Sequence, residues 1–384
     1  MSETKFMEVD DGYWNGLVSA RKQRIDEAAL ARTVDLIVNK DRLSKRQHEV
    51  RLEEAITTSD FPYLFGQVID RQLLANYREP EDPLYDWKDY VKIGSVPDFN
   101  TVRREKLSGK DPLLPLVPEK GEYLPYKPTN CRYTYAVKKY GAQFDISWEA
   151  IMNDSLGAFN DIPQEMANAA KDTESFRAAN LIAASTGDGN AALYGATITD
   201  CGQAITNLGA LPLTIANLET TIQLMKSQTS PTGKRLKIRP KYLVVPPALE
   251  FTARAILTSA LKQWTEVGAG AGVPVPTTNV VPQAGLQLKI NDWFPTIDTT
   301  HGNTAWYLFA DPARGGAAVE VGYLRGHETP EVVMKASNKV AVGGGGLSSP
   351  FTGDFETDNI MYRVRDVIGG TAMDPRFTYL QSGA

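Results

Sequence analysis

Cysteine and histidine are nearly missing from this chain of 384 residues, which has two of the first and three of the second. Cys131 and Cys201 lie far apart and form neither a C-x-x-C motif nor a disulfide framework, so folding is expected in a reducing compartment. His48, His301 and His327 have no His or Cys at zinc-ligand spacing, and His327-Glu328 lacks the second histidine of H-E-x-x-H. No run of about 18 apolar residues occurs, so no segment reads as a membrane span. A basic excess is also absent. Lys and Arg number 41 against 46 Asp and Glu, a net charge of -5, which argues against a dedicated nucleic-acid binder. The first residues, MSETKFMEVDDGYW, contain no apolar h-region and do not read as a signal peptide. No internal repeat is present.

Motifs that carry chemistry are missing as well. SPTGKR around Gly233 has Arg235 where a phosphate loop needs Ser or Thr to hold magnesium. GAGAG at 268–272 follows a helical stretch and leads into Val-Pro-Val-Pro, the wrong context for a dinucleotide loop. DFETDN at Asp354 puts Asn359 and Arg365 where a calcium loop needs Gly and Glu. GLSSP at Gly346 puts Pro350 where a nucleophile elbow needs Gly. No catalytic, cofactor-binding or metal-binding residue is therefore expected.

What is present is architecture. Residues 14–56 read as a polar helical stretch with a sparse apolar side (Ile25, Ala29, Val34, Leu36, Ile37), unable to bury much of itself. A second helix is expected over 59–77. Thr101–Leu107 (TVRREKL) reads as a strand, followed by a run stiffened by Pro112, Pro115, Pro118, Pro125 and Pro128. Cys131–Ser147 then alternates, with Tyr133, Tyr135 and Val137 on one face. After Lys138-Lys139 the apolar parity shifts by one, which predicts a β-bulge permitted by Gly141. Together these form a long hairpin with a large tip, and loops of that length are usually functional. Asp161 and Pro163 predict the start of a helix over 162–185, with Ile162, Met166, Ala169, Thr173, Phe176 and Ala183 as its apolar stripe. Further on, a helix is expected over 214–227, strands at KYLVVPP, 286–290, 305–310, 317–324, 331–336, 359–367 and 376–381, and a turn at Gly369-Gly370. SPTGKRLKIRP reads as a turn and a basic connector. The class is α+β, because strands and helices do not strictly alternate.

Four stretches, in serial order, carry a resemblance: TSDFPYLFGQVIDRQL, ISWEAIMNDSLGAFNDIPQEMANAAKDTES, YLVVPPALEFTARAIL and FADPARGGAAVEVGYLRGHETPEVV. From about Ser59 onward the chain resembles the major capsid proteins of tailed double-stranded DNA bacteriophages, whose fold is shared with herpesvirus capsid floors and encapsulins. The resemblance implies an N-terminal arm over 1–90, an extended β-hairpin loop over 91–146, and a peripheral domain over 147–210 and 342–384 whose spine helix covers about 162–185. It further implies an axial domain over 211–341. It implies a shell protein, not an enzyme, that assembles with itself into homo-pentamers and homo-hexamers around packaged DNA held non-specifically. Scaffold, portal and decoration proteins are the implied partners, with no membrane and no cofactor. The implied location is the virion capsid, assembled in the bacterial host cytoplasm. Arg103, Arg104, Lys106, Lys110, Tyr123 and Tyr126 are candidate intersubunit contacts on the hairpin. The short leader before Ser59 implies no maturation cleavage and a separate scaffold protein. The alternatives are an encapsulin-type compartment shell and an enzyme with a non-local carboxylate site.

Overall fold

The structure is a computed structural model that describes residues 86–108, 116–120, 129–147, 156–200, 202–230, 234–264, 275–314, 316–335, 355–357 and 359–383. The helices expected before residue 86, the GAGAG loop and the glycine run at 343–346 lie outside them. The chain divides into a larger unit (Glu81–Lys138, Asp172–Glu328, Val367–Ala384) and a smaller one (Met1–Pro80, Lys139–Lys171, Thr329–Asp366).

In chain order the elements begin with α1 (Trp87–Tyr90), β1 (Lys92–Val96), β2 (Val102–Ser108), β3 (Thr129–Tyr135), β4 (Lys138–Ser147) and α2 (Leu156–Asn180). There follow β5 (Ile198–Asp200), β6 (Gln203–Ile205), β7 (Leu208–Gly209), α3 (Ile215–Lys226), β8 (Pro240–Val245) and α4 (Glu250–Thr258). Next come β9 (Leu261–Trp264), β10 (Val275–Thr278), β11 (Gln287–Ile290), α5 (Phe294–Ile297), β12 (Trp306–Ala310) and β13 (Val319–Leu324). The last are β14 (Glu331–Met334), β15 (Asn359–Ala372) and β16 (Thr378–Gln381). The mixture is α+β, as expected.

The larger unit has a five-stranded sheet in the order β11-β8-β12-β16-β7. Its middle strand, WYLFA, is buried at every position, which fits a continuous apolar run covered on both faces. Leu218, Ile222 and Met225 of α3 and Ala253 and Ile256 of α4 join Leu243, Val245, Trp306, Leu308 and Tyr379 of the sheet in one core. Thr214 caps α3, its hydroxyl accepting from the Asn217 backbone N–H at 3.2 Å, so the helix begins where the sequence predicts. In a separate sheet β1 runs parallel to β13. The second half of β15 runs antiparallel to β13.

Gly369-Gly370 is not the expected turn: β15 runs straight through it. Both glycines are sites of close approach. A Cβ at Gly369 would lie 2.5 Å from the Ala136 carbonyl oxygen, and one at Gly370 would lie 2.6 Å from Leu181 Cδ1. In the smaller unit β14 pairs antiparallel with Arg365–Tyr362 of β15. Phe144 of β4 stacks on Tyr362 at 5.1 Å, and Asn359 Nδ2 donates to Asp145 Oδ2 at 3.0 Å.

Two further expectations are corrected. The parity shift near residue 138 is no bulge within one strand. β3 ends at Tyr135, β4 begins at Lys138, and the two have different partners, β2 and β15. A change of sheet and a bulge leave the same parity signature, because both insert residues that belong to neither ladder. The long helix starts at Leu156 and ends at Asn180, not at 162 and 185. It is about 37 Å long at 1.5 Å per residue. Pro163 therefore sits inside it, where it removes one backbone hydrogen bond. The predicted stripe is also one residue out of phase. Ala167, Ala170, Lys171, Glu174, Ser175, Ala178 and Ala179 are buried, whereas Ala169 is exposed and Met166, Thr173 and Phe176 are half-buried. The buried face is built from alanines and two charges, so hydropathy placed the stripe one residue off it.

Candidate functional site: the root of the hairpin

The hairpin β2–β3 is antiparallel, with Val102 opposite Tyr135 and Ser108 opposite Thr129. On β3, alternation puts Cys131, Tyr133, Tyr135 and, just beyond it, Val137 on one face. Within the larger unit the two tyrosines are held by hydrogen bonds to carboxylates and Val137 by apolar packing.

Tyr135 reaches Glu320, which lies in the fully buried strand β13. Tyr135 Oη donates to Glu320 Oε1 at 2.8 Å, and Arg104 Nε of β2 donates to the same oxygen at 2.6 Å. Glu320 Oε2 accepts no hydrogen bond; the Lys92 ammonium of β1, 3.2 Å away, supplies its counter-charge. Two glycines make room for this cluster. Gly94 and Gly322 face each other across β1 and β13. A Cβ at Gly94 would lie 2.7 Å from Glu320 Oε1, and one at Gly322 would lie 2.5 Å from Tyr135 Oη.

The charges follow from this geometry. Burial pushes the Glu320 carboxyl up, but the hydrogen bonds from Arg104 and Tyr135 and the charge of Lys92 outweigh it and hold it below the usual range. Burial and the neighbouring carboxylate push the Tyr135 phenol up to about 12, so it stays a donor at neutral pH. A lowered folded value means that the stabilisation is full above the ordinary 4.5 and is lost as pH falls through the lowered value. Amide protection in β2 and β3, measured against the intrinsic exchange rate at each pH, is therefore expected to fall below pH 4.5, and Glu320→Gln is expected to abolish that acid step. An acid step unchanged in Glu320→Gln would assign it to another group.

Tyr133 anchors to a second cluster. Its hydroxyl donates to Asp200 Oδ1 at 3.0 Å, and Asp200 pairs with Arg376, 1% exposed in the segment just before β16. Arg376 Nη1 donates to Asp200 Oδ2 (2.7 Å) and Asp374 Oδ1 (3.0 Å). Nη2 donates to the Asp200 carbonyl (3.2 Å) and Gln203 Oε1 (3.3 Å), and Nε to the Thr229 carbonyl (3.2 Å). All five guanidinium donors are used, the condition under which a buried arginine is tolerated. Val137 packs with Val96, Tyr135, Leu324 and Val367.

Cys131 is disulfide-bonded, contrary to the expectation of no disulfide. The chain's other cysteine, Cys201, lies outside the described residues.

Of the sequence-predicted contacts, Arg103 and Arg104 lie side by side on β2 and face opposite ways. Arg103 is exposed, while Arg104 turns inward to Glu320. Lys106 is on β2 opposite Cys131. Lys110, Tyr123 and Tyr126 lie outside the described residues. Glu320, Arg376, Asp200, Gly94 and Gly322 were not singled out from sequence. Only the shared face of Tyr133 and Tyr135 pointed toward them. Among the described residues no group of three or more His, Cys, Asp or Glu could hold a metal ion, and no helix is long and apolar enough to cross a membrane. The arrangement pins the base of the β2–β3 hairpin within the larger unit.

No curated protein matches the sequence. Solved structures similar to the chain include one of Gordonia phage Cozz, 14% identical, with a TM-score of 0.43, covering 76% of this chain and 84% of that one. The capsid structure of the cyanophage P-SCSP1u is 9% identical, with a TM-score of 0.46, covering 77% and 86%. The SrpI encapsulin complex of Synechococcus elongatus is 12% identical, with a TM-score of 0.41, covering 77% and 85%. The model of the family described as "Phage capsid protein" matches residues 132–380, from within β3 to within β16, and so includes Tyr133, Tyr135, Asp200, Glu320 and Arg376. The chain belongs to the phage capsid protein family, as a structural protein of the virion shell.

Proposed function

We propose that the chain builds an icosahedral head from homo-pentamers and homo-hexamers around double-stranded DNA, and that the β2–β3 hairpin is the arm each subunit lays on its neighbour. The observation that carries this reading is the double anchoring of the hairpin root. The buried Glu320 and the half-buried Asp200, each paired with a cation, hold the base of the hairpin, while Arg103 and Glu105 on β2 stay exposed. Rings and shells need heterologous contacts, in which one surface meets a different surface of the next copy. An arm enlarges such a contact, and a fixed root gives it one direction.

In this reading Arg103, Lys106, Lys110, Tyr123 and Tyr126 contribute to the intersubunit contact, and Arg104, turned inward to Glu320, holds the root instead. Residues 1–90 are an arm, 91–146 the extended loop, 147–210 and 342–384 the peripheral domain and 211–341 the axial domain. The protein has no enzymatic activity, assembles in the bacterial host cytoplasm, and works with scaffold, portal and decoration proteins.

Electron microscopy of the purified chain, expressed with and without its neighbouring genes, tests the reading. Shells, tubes or ring-shaped capsomers are expected, and uniform dimers or tetramers under all conditions would sink it. Deleting Leu113–Tyr126 tests the arm. Folded subunits that no longer close shells are expected, and normal shells from the deletion would refute the role of the hairpin.

A further inference from the structure

The acidic total hides a strongly segregated stretch. Between Glu219 and Glu250 the chain has no acidic residue and six basic ones: Lys226, Lys234, Arg235, Lys237, Arg239 and Lys241. A net of -5 with +6 in this stretch leaves -11 for the rest of the chain. The fold, not the composition, turns these charges into a surface. In the run into β8, Ile238 is buried in the core of the larger unit and Leu236 packs against it. Pro240 is buried as well, and Arg235, Lys237 and Arg239 are all exposed. Burial with a period of two sets the three cations on one side, with same-side neighbours about 7 Å apart in extended chain. Among the described residues no carboxylate forms an ion pair with any of the three. Asp311, at the end of the neighbouring strand β12, is taken by Lys241 at 3.0 Å and Arg314 at 3.7 Å.

We propose that Arg235, Lys237 and Arg239 form a contact stripe for the phosphate backbone of double-stranded DNA. The proposal rests on the shell reading above and gives its nucleic-acid contact a place in the chain. Two guanidinium forks and an ammonium match phosphate oxygens. Contacts to phosphate oxygens carry no base information, so binding through the stripe is sequence-independent. Three phosphate contacts per subunit make it weak and salt-labile, and the acidic remainder of the chain keeps DNA from spreading over the surface. A shell must hold its genome and still release it, and a short stripe repeated in every copy satisfies both needs.

The test uses unassembled full-length subunits, labelled 25-base-pair duplexes of two unrelated sequences, and fluorescence anisotropy across a potassium chloride series. Equal binding of both duplexes is expected, with a slope of log K against log salt of about -2.7, which is roughly a 40-fold loss between 50 and 200 mM. The combined variant Arg235→Gln, Lys237→Gln, Arg239→Gln should flatten the slope to near zero and weaken binding at 50 mM by about 40-fold or more. Arg235→Lys with Arg239→Lys should keep the slope, which guards against a glutamine variant that merely folds poorly. An unchanged slope in a folded glutamine variant, or no duplex binding by the natural chain at 50 mM salt, overturns the proposal. So does binding of polyglutamate in place of the duplex, which would point to an acidic protein partner. Microscopy of the same preparations separates the two levels. Shells from the natural chain together with a failed stripe leave the shell reading standing, and no shells in any condition removes that reading itself.

Discussion

Arg376→Met lowers the stability of the larger unit by about 3–5 kcal/mol, the usual cost of breaking a buried ion pair from one side. The substitution keeps side-chain volume and removes five donors at once. Asp200 and Asp374 are left as carboxylates in a site with little water, the Thr229 and Asp200 carbonyls lose their partner, and Tyr133 is left bound to an uncompensated anion. Urea unfolding followed by circular dichroism reads the change as a fall in midpoint at unchanged slope. Arg376→Lys should recover little, because an ammonium cannot reach five acceptors spread over β5, β6, the Thr229 turn and Asp374. A stability loss below about 1 kcal/mol for either variant would place Arg376 among the surface ion pairs and contradict its burial.

The second large effect is on assembly rather than folding. Arg104→Ala leaves Glu320 buried with Tyr135 and Lys92 alone, and should cost about 2 kcal/mol, discounted because the Arg104 side chain is 32% exposed. The subunit survives that loss. What changes is the freedom of β2 at the hairpin root, and in the proposed role of the hairpin a shell closes only if every copy presents it in the same direction. Folded subunits with an unaltered circular dichroism spectrum and an at least tenfold fall in closed particles are therefore expected. A double-mutant cycle with Glu320→Gln should give a coupling of about 1–3 kcal/mol between the two residues. Closed particles at the natural yield would show that the root need not be rigid, while leaving the shell assignment intact.

Residue by residue, much of the larger unit is legible in sequence. Thr214 followed by a clean 3.6-residue pattern marks α3 to within a residue at either end. WYLFA and VEVGYL read as strands and are strands, and the fold buries them at every position. The alternation of Tyr133, Tyr135 and Val137 identifies the face on which the hairpin is pinned. Local pattern suffices there because capping, helical period and strand pleat act over a few residues. Legibility ends where a signal has two structural causes. A parity shift reads equally as a bulge or as a change of sheet at Ala136-Val137. Gly369-Gly370 reads as a turn when its task is to let Ala136 and Leu181 approach. In α2 the buried face carries Lys171 and Glu174, so hydropathy placed the stripe one residue off it.

The sequence by itself determined the α+β class, most strands and helices of the larger unit, the absence of recognisable catalytic motifs and the order of segments that resembles a capsid protein. The tertiary structure alone decided which charges are buried and which are displayed. Arg104 and Glu320 are 216 positions apart and Arg376 and Asp200 are 176 apart, so no local pattern can announce either pair. The same holds for Gly94 and Gly322, whose missing side chains acquire meaning only when β1 lies beside β13. A carboxylate in a sequence is by default a solvated one. It becomes an anchor only where folding withdraws water and supplies a cation and a hydroxyl together, and that coincidence belongs to three dimensions.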